Sequence, residues 1–164
     1  MRLPCRRRFN RGFDPGAMLL LKPEDLKQIS DHAEADYPRE ACGLLLGYQR
    51  ADGDIEITQV AASKNMAALG QNDRFEVDPK LRLRLMRQAR DTARGIIGHY
   101  HSHPDGSARP STTDLAMAWE SDLVWLVTAV VAGQTVQSTA HLLSEGGTRF
   151  NDIGLDCLPS GNEV

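Results

Sequence analysis

His101 and His103 stand two residues apart in the apolar run GIIGHYHSH, a composition that suits a β-strand. Side chains alternate across a strand, so the two imidazoles project from one face and can reach a single ion. Asp114 follows across a loop carrying Pro104, Gly106 and Pro110, which can turn the chain back and set the first turn of a helix beside the strand end. Two neutral imidazoles and a carboxylate suit Zn2+ and leave a fourth tetrahedral position open, as in a catalytic rather than a structural site. Water activated there attacks near neutral pH. The plainer reading of two strand histidines is packing or surface hydrogen bonding. His99 shares their face, where it can replace a ligand, support one or simply pack.

The elements that must carry these residues are legible around them. LLLK starts a strand, and Pro23 suits the first turn of a helix whose Leu26, Ile29 and Ala33 share a face and which ends before Pro38. CGLLLGY and DIEITQVAA form a hairpin about the turn at Asp52 and Gly53. SKNMAALGQND reads as a loop, followed by a short extended piece at RFEV. Asp78 and Pro79 open a second helix, with Leu81, Leu85, Ala89 and Met86 facing inward and Arg82, Arg84, Arg87 and Arg90 facing water. Beyond the histidine strand, Ser111 caps a helix, DLVWLVTAVV reads as a buried strand, and TVQSTAHLL as a more exposed one.

With those elements placed, HSHPDGSARPSTTD resembles the JAMM (MPN+) metalloprotease motif of His-x-His-Pro, six residues, Ser, two residues and Asp, and every motif position is filled. YPREACGLLLG resembles the glutamate-bearing strand entry of the compact prokaryotic (JAB domain) members. The resemblance runs from roughly Leu19 to about Leu143. It implies an α/β fold, a cytidine-deaminase-like mixed β-sheet flanked by helices in a single domain, with one zinc. The implied activity is hydrolysis of the peptide or isopeptide bond after the C-terminal Gly-Gly of a ubiquitin-like or sulfur-carrier protein. Position by position, His101, His103 and Asp114 match the metal ligands, Glu40 the general acid/base, and Ser111 the serine that supports the tetrahedral intermediate. Each has a plainer alternative: Ser111 as a helix cap alone, Glu40 as a loop carboxylate beside Arg39. Cys42, entering an apolar strand, reads as a small buried thiol rather than a nucleophile.

Composition narrows the remaining classes. At 164 residues, with 41% hydrophobic and 25% charged residues, the chain is long enough for one core and too ordinary for a disordered or fibrous protein. A net charge of -3 gives no global attraction to nucleic acid or to an anionic membrane. No apolar run is long enough to span a bilayer. Three cysteines without a CxxC pair fit a reducing compartment, the cytoplasm. Residues 1–17 form an expected disordered basic extension, 18–156 the metalloprotease domain and 157–164 a frayed tail. Two other functions stay open: a non-catalytic scaffold of the same fold, and a zinc amidohydrolase acting on a small amide or a cell-wall peptide.

Overall fold

The computed structural model describes residues 16–159; the extension expected over 1–17 lies almost wholly outside them, as do residues 160–164 of the expected tail. β1 (Met18–Leu21) runs into α1 (Pro23–Asp36). Pro23 occupies the first turn, where an N–H has no intrahelical partner to lose, and Glu24 and Asp25 meet the positive end of the helix dipole. Ile29 and Ala33, a turn apart, are buried. β2 (Cys42–Gln49) and β3 (Ile55–Ser63) form the expected antiparallel hairpin, with Gly53 at φ +96° in the turn. β4 (Gly95–His103) pairs antiparallel with the other edge of β2.

β5 (Val124–Val131) is parallel to β4, so the chain must cross over between them, and that crossover contains α3 (Thr112–Met117). β6 (Gln134–Leu143) returns antiparallel to β5. The helix-flanked, cytidine-deaminase-like sheet expected from the resemblance is not what forms. β7 (Phe150–Cys157), a strand not anticipated from the residue pattern, pairs antiparallel with β6 and parallel with β1, and β1 pairs with β3. Among the described residues, the ring β1-β3-β2-β4-β5-β6-β7 is thereby closed into a mixed seven-stranded barrel carrying three short helices. The physical reason is β7 itself, which joins the two edges an open sheet would have left unpaired.

Alternation along the strands gives the barrel two chemically different faces. Leu19, Leu45, Ile55, Ile97, Tyr100, Leu126 and Ile153 meet in one core, to which α1 adds Ile29. On the opposite face Leu44, Leu46 and Ala61 pack under Leu81 and Leu85 of α2 (Pro79–Gln88). Met86, expected inward, is exposed, because Leu81 and Leu85 already span the packed stripe of this short helix. Directly paired residues share a face, so Cys42 and Leu44 lie beside their partners His101 and His99, on the α2 side and away from the Tyr100 core. Among the described residues no helix is long and apolar enough to cross a membrane.

Candidate functional site

The three residues read as ligands meet at the end of β4 and the start of α3. His101 Nε2 and His103 Nε2 are 2.9 Å apart, and Asp114 Oδ2 lies 3.2 Å and 3.1 Å from them. All three side chains are buried. Ligands of a tetrahedral zinc at bond lengths of roughly 2.0–2.2 Å stand roughly 3.4 Å apart, so these atoms need separate by only a few tenths of an ångström to receive one. His103 Nδ1–H donates to the Ser107 carbonyl at 3.0 Å, which fixes the tautomer that leaves Nε2 free to ligate. Two imidazole nitrogens and a carboxylate oxygen converging without intervening donors form a donor set that suits a divalent cation.

Asp114 reaches this point through the helix cap. The Ser111 N–H donates to Asp114 Oδ2 at 2.7 Å, and the Asp114 N–H donates to Ser111 Oγ at 3.0 Å, a reciprocal capping box. Ser111 is thus a helix cap, and since its oxygen accepts, its O–H proton stays free to donate elsewhere. Burial alone would raise the Asp114 carboxyl, but hydrogen bonds from His101 and His103 outweigh it and hold the group well below the usual carboxylate range. Burial likewise depresses His101 below the usual imidazole value. At His103 burial works in the same direction, yet the hydrogen bond to Asp114 outweighs it and the net shift is upward.

Glu40 lies just before β2 on the same face. It is buried, not the exposed loop carboxylate of the plainer reading. Its Oε1 is 4.0 Å from His103 Nε2, and its Oε2 has no hydrogen-bond partner among the described residues. Desolvation pushes its carboxyl up to about 8, with the positive charge of His103 opposing the shift and the negative charge of Asp114 reinforcing it. The structure therefore brings Glu40, His101, His103, Ser111 and Asp114 to one locus. His99 does not join the ligand group: its ring packs edge-on against Trp125 at 4.2 Å, and burial pushes it down to about 3, so it is neutral. Cys42 is buried, its thiol is pushed up to about 12 by desolvation, and Sγ makes a long contact of 3.9 Å to the Glu76 carbonyl.

Several supporting groups are not evident from the residue pattern. Phe75 stacks on His101 with ring centroids 4.4 Å apart and planes 15° from parallel, and Trp125 meets the same imidazole edge-on at 5.8 Å. Both come from apolar positions flanking the motif, and only their nearness in the fold marks them. The loop carrying Ser107 is held from behind. Its Ala108 carbonyl accepts from the Thr139 hydroxyl, which also lies 2.7 Å from His141 Nε2, and His141 Nδ1–H donates to Asp152 Oδ1 at 2.9 Å. The closing strand β7 thus contributes to fixing the ligand loop.

A profile of the prokaryotic homologues of the JAB domain matches residues 23–142, a stretch that contains every candidate site residue. The chain is 30% identical over 140 residues to a probable TtuB-protein conjugate cleaving protease of Thermus thermophilus, covering 83% of this chain and 86% of that one. It is 28% identical over 102 residues to the desampylase of Haloferax volcanii, covering 62% and 70%. Its fold is similar to the solution structure of protein DSY2949 from Desulfitobacterium hafniense, with a TM-score of 0.74 and 25% identity over 88% of this chain and 96% of that one. The match across most of its length, together with the paired motifs, places this chain in the family of prokaryotic JAB-domain homologues.

Proposed function

We propose that the chain is a zinc-dependent metallopeptidase that hydrolyses the peptide or isopeptide bond following the C-terminal Gly-Gly of a ubiquitin-like or sulfur-carrier protein. The observation that carries this reading is the buried Glu40 carboxylate, with one unpartnered oxygen, beside the convergent His101, His103 and Asp114. Zinc held by His101 Nε2, His103 Nε2 and Asp114 Oδ2 would supply Lewis acidity, acidifying water and polarising the scissile carbonyl. Glu40 takes a proton from the attacking water at Oε1 or Oε2 and delivers it to the leaving nitrogen. The Ser111 O–H donates to the carbonyl oxygen as negative charge develops there. Phe75 and Trp125 wall His101 off from solvent, which strengthens each of these electrostatic interactions. The substrate class is supported by the names of the two relatives, a desampylase and a conjugate-cleaving protease.

The test is incubation of the purified protein with sulfur carriers extended beyond their Gly-Gly terminus, with and without a chelator. Chelator-sensitive cleavage after Gly-Gly, abolished by Glu40→Gln, is the expected result. Cleavage of small amides or cell-wall peptides, with indifference to Gly-Gly tails, refutes the proposed substrate and favours the amidohydrolase. Absence of stoichiometric zinc refutes the zinc reading.

A further inference from the structure

Glu40 raises a physical question that its own carboxylate does not answer. Among the described residues its Oε2 has no hydrogen-bond partner, yet a proton carrier must be held within a fraction of an ångström of its working position. The constraint comes through the backbone. Asn65, buried at 5% exposure in the segment between β3 and α2, uses all four hydrogen-bonding valences of its side chain. Nδ2 donates to the Glu40 carbonyl at 2.8 Å and to the Arg74 carbonyl at 3.0 Å. Oδ1 accepts from the Ala67 N–H at 3.0 Å and the Glu76 N–H at 3.1 Å.

The partners are informative. Arg74 and Glu76 flank Phe75, so one amide fixes the backbone on both sides of the ring that stacks on His101. Asn65 also bridges to Val77, and the Met66 N–H donates to the Glu76 carbonyl, so the two arms of the segment lie side by side. On the other side of Glu40, the Ala41 N–H donates to Ser102 Oγ at 2.8 Å, and the Ser102 N–H donates to the Ala41 carbonyl at 2.9 Å, tying the start of β2 to the ligand strand. Glu40 is thus clamped between Asn65 and β4.

We propose that Asn65 is a positioning residue that sets the Glu40 carboxylate against the His101, His103 and Asp114 group and docks Phe75 on His101. It rests on the reading of Glu40 as the proton carrier. Asparagine alone suits the place among residues of its size, since it offers two donors and a two-fold acceptor on one planar group. Aspartate keeps the acceptor and loses both donors, leaving the Glu40 and Arg74 carbonyls without partners.

The experiment is a double-mutant cycle of Asn65→Asp with Glu40→Gln, with Asn65→Ser as a milder replacement should the aspartate variant not fold. Each zinc-loaded variant is measured for kcat, KM, zinc affinity by chelator competition, and melting temperature. The expected result is a kcat lowered about 10- to 100-fold, with KM and zinc affinity changed less than about 3-fold. In the Glu40→Gln background the Asn65 substitution is expected to lower the residual rate no further, since both act through one group. A folded Asn65 variant with wild-type kcat overturns the proposal, and so does an equal fractional loss in both backgrounds. Wild-type kcat in Glu40→Gln alone refutes instead the reading of Glu40 on which the proposal stands.

Discussion

Glu40→Gln should stabilise the metal-free protein while destroying its activity, and the size of the gain follows from burial. In the folded, metal-free chain the carboxyl is pushed from its ordinary 4.5 up to about 8 by desolvation. Between these values the folded state holds a proton that the unfolded chain has lost, so stability falls as pH rises, by about 1.4 kcal/mol per unit, and levels off above pH 8. The full span amounts to about 5 kcal/mol as an upper bound. Glutamine has nearly the same shape and no charge, but leaves its own amide short of hydrogen bonds, which offsets about 1–3 kcal/mol of that gain. A net stabilisation of about 2 kcal/mol at pH 8, or a rise in melting temperature of about 4–8 °C, is expected. Near pH 4.5, where the folded carboxyl is protonated and the unfolded one is already half protonated, the gain should disappear. Urea unfolding of chelator-treated wild type and variant at pH 5 and pH 8 measures both numbers. A variant no more stable than wild type at pH 8, or a gain equal at the two pH values, refutes the claim that Glu40 is held against its desolvation.

Three further outcomes are expected. Zinc at about 100 times its dissociation constant should add about 2.7 kcal/mol of stability, seen as a melting shift of about 5–11 °C that a chelator reverses and Asp114→Ala abolishes; an undiminished shift in that variant sinks the ligand assignment. Because His103 holds its proton above the ordinary imidazole range, that proton occupies the place of the metal as pH falls, so zinc affinity should weaken about 10-fold per pH unit on the acid side; chelator competition giving one affinity at pH 5.5 and pH 8 contradicts it. Ser111→Ala should remove the α3 cap, costing about 1 kcal/mol, and slow kcat by about 100-fold, whereas Ser111→Asn restores the cap alone; recovery of kcat by asparagine would show that the hydroxyl serves the helix only.

How much of this was readable in advance depends on the range of the interactions. His101, His103 and Asp114 are close in sequence and sit on one strand and the helix after it, so strand alternation and turn residues suffice to propose them together. Glu40 is distant, and it was singled out by resemblance because nothing local distinguishes it from an exposed carboxylate beside Arg39. Asn65 lies in a polar, turn-rich stretch whose composition reads as loop, and Phe75 in the short extended piece that follows it. A buried amide with four partners has no local signature there, since all its partners are set by tertiary contacts. β7 escapes for a different reason. Within it only Ile153 is buried, so the alternation that reveals a strand is nearly absent, although its backbone is paired on both sides. The strands up to β6 were therefore legible one by one, while the barrel they close into was not.

The seam where β1 meets β7 also bears on how the protein is made. β1 has two register pairs with β3 and four with β7, and the Leu158 N–H donates to the Leu21 carbonyl just beyond that ladder. A chain emerging from the ribosome N-terminus first exposes β1 and β3 long before β7 exists, an interval of roughly 5–20 s at ordinary synthesis rates. Every residue assigned a metal-ligating, proton-carrying or oxyanion role has been translated by position 114, well ahead of the strand that completes the ring. A fragment ending at residue 142, where the family profile stops, would keep all the proposed chemistry yet leave both outer strands with open backbone edges, inviting aggregation and proteolytic clearance.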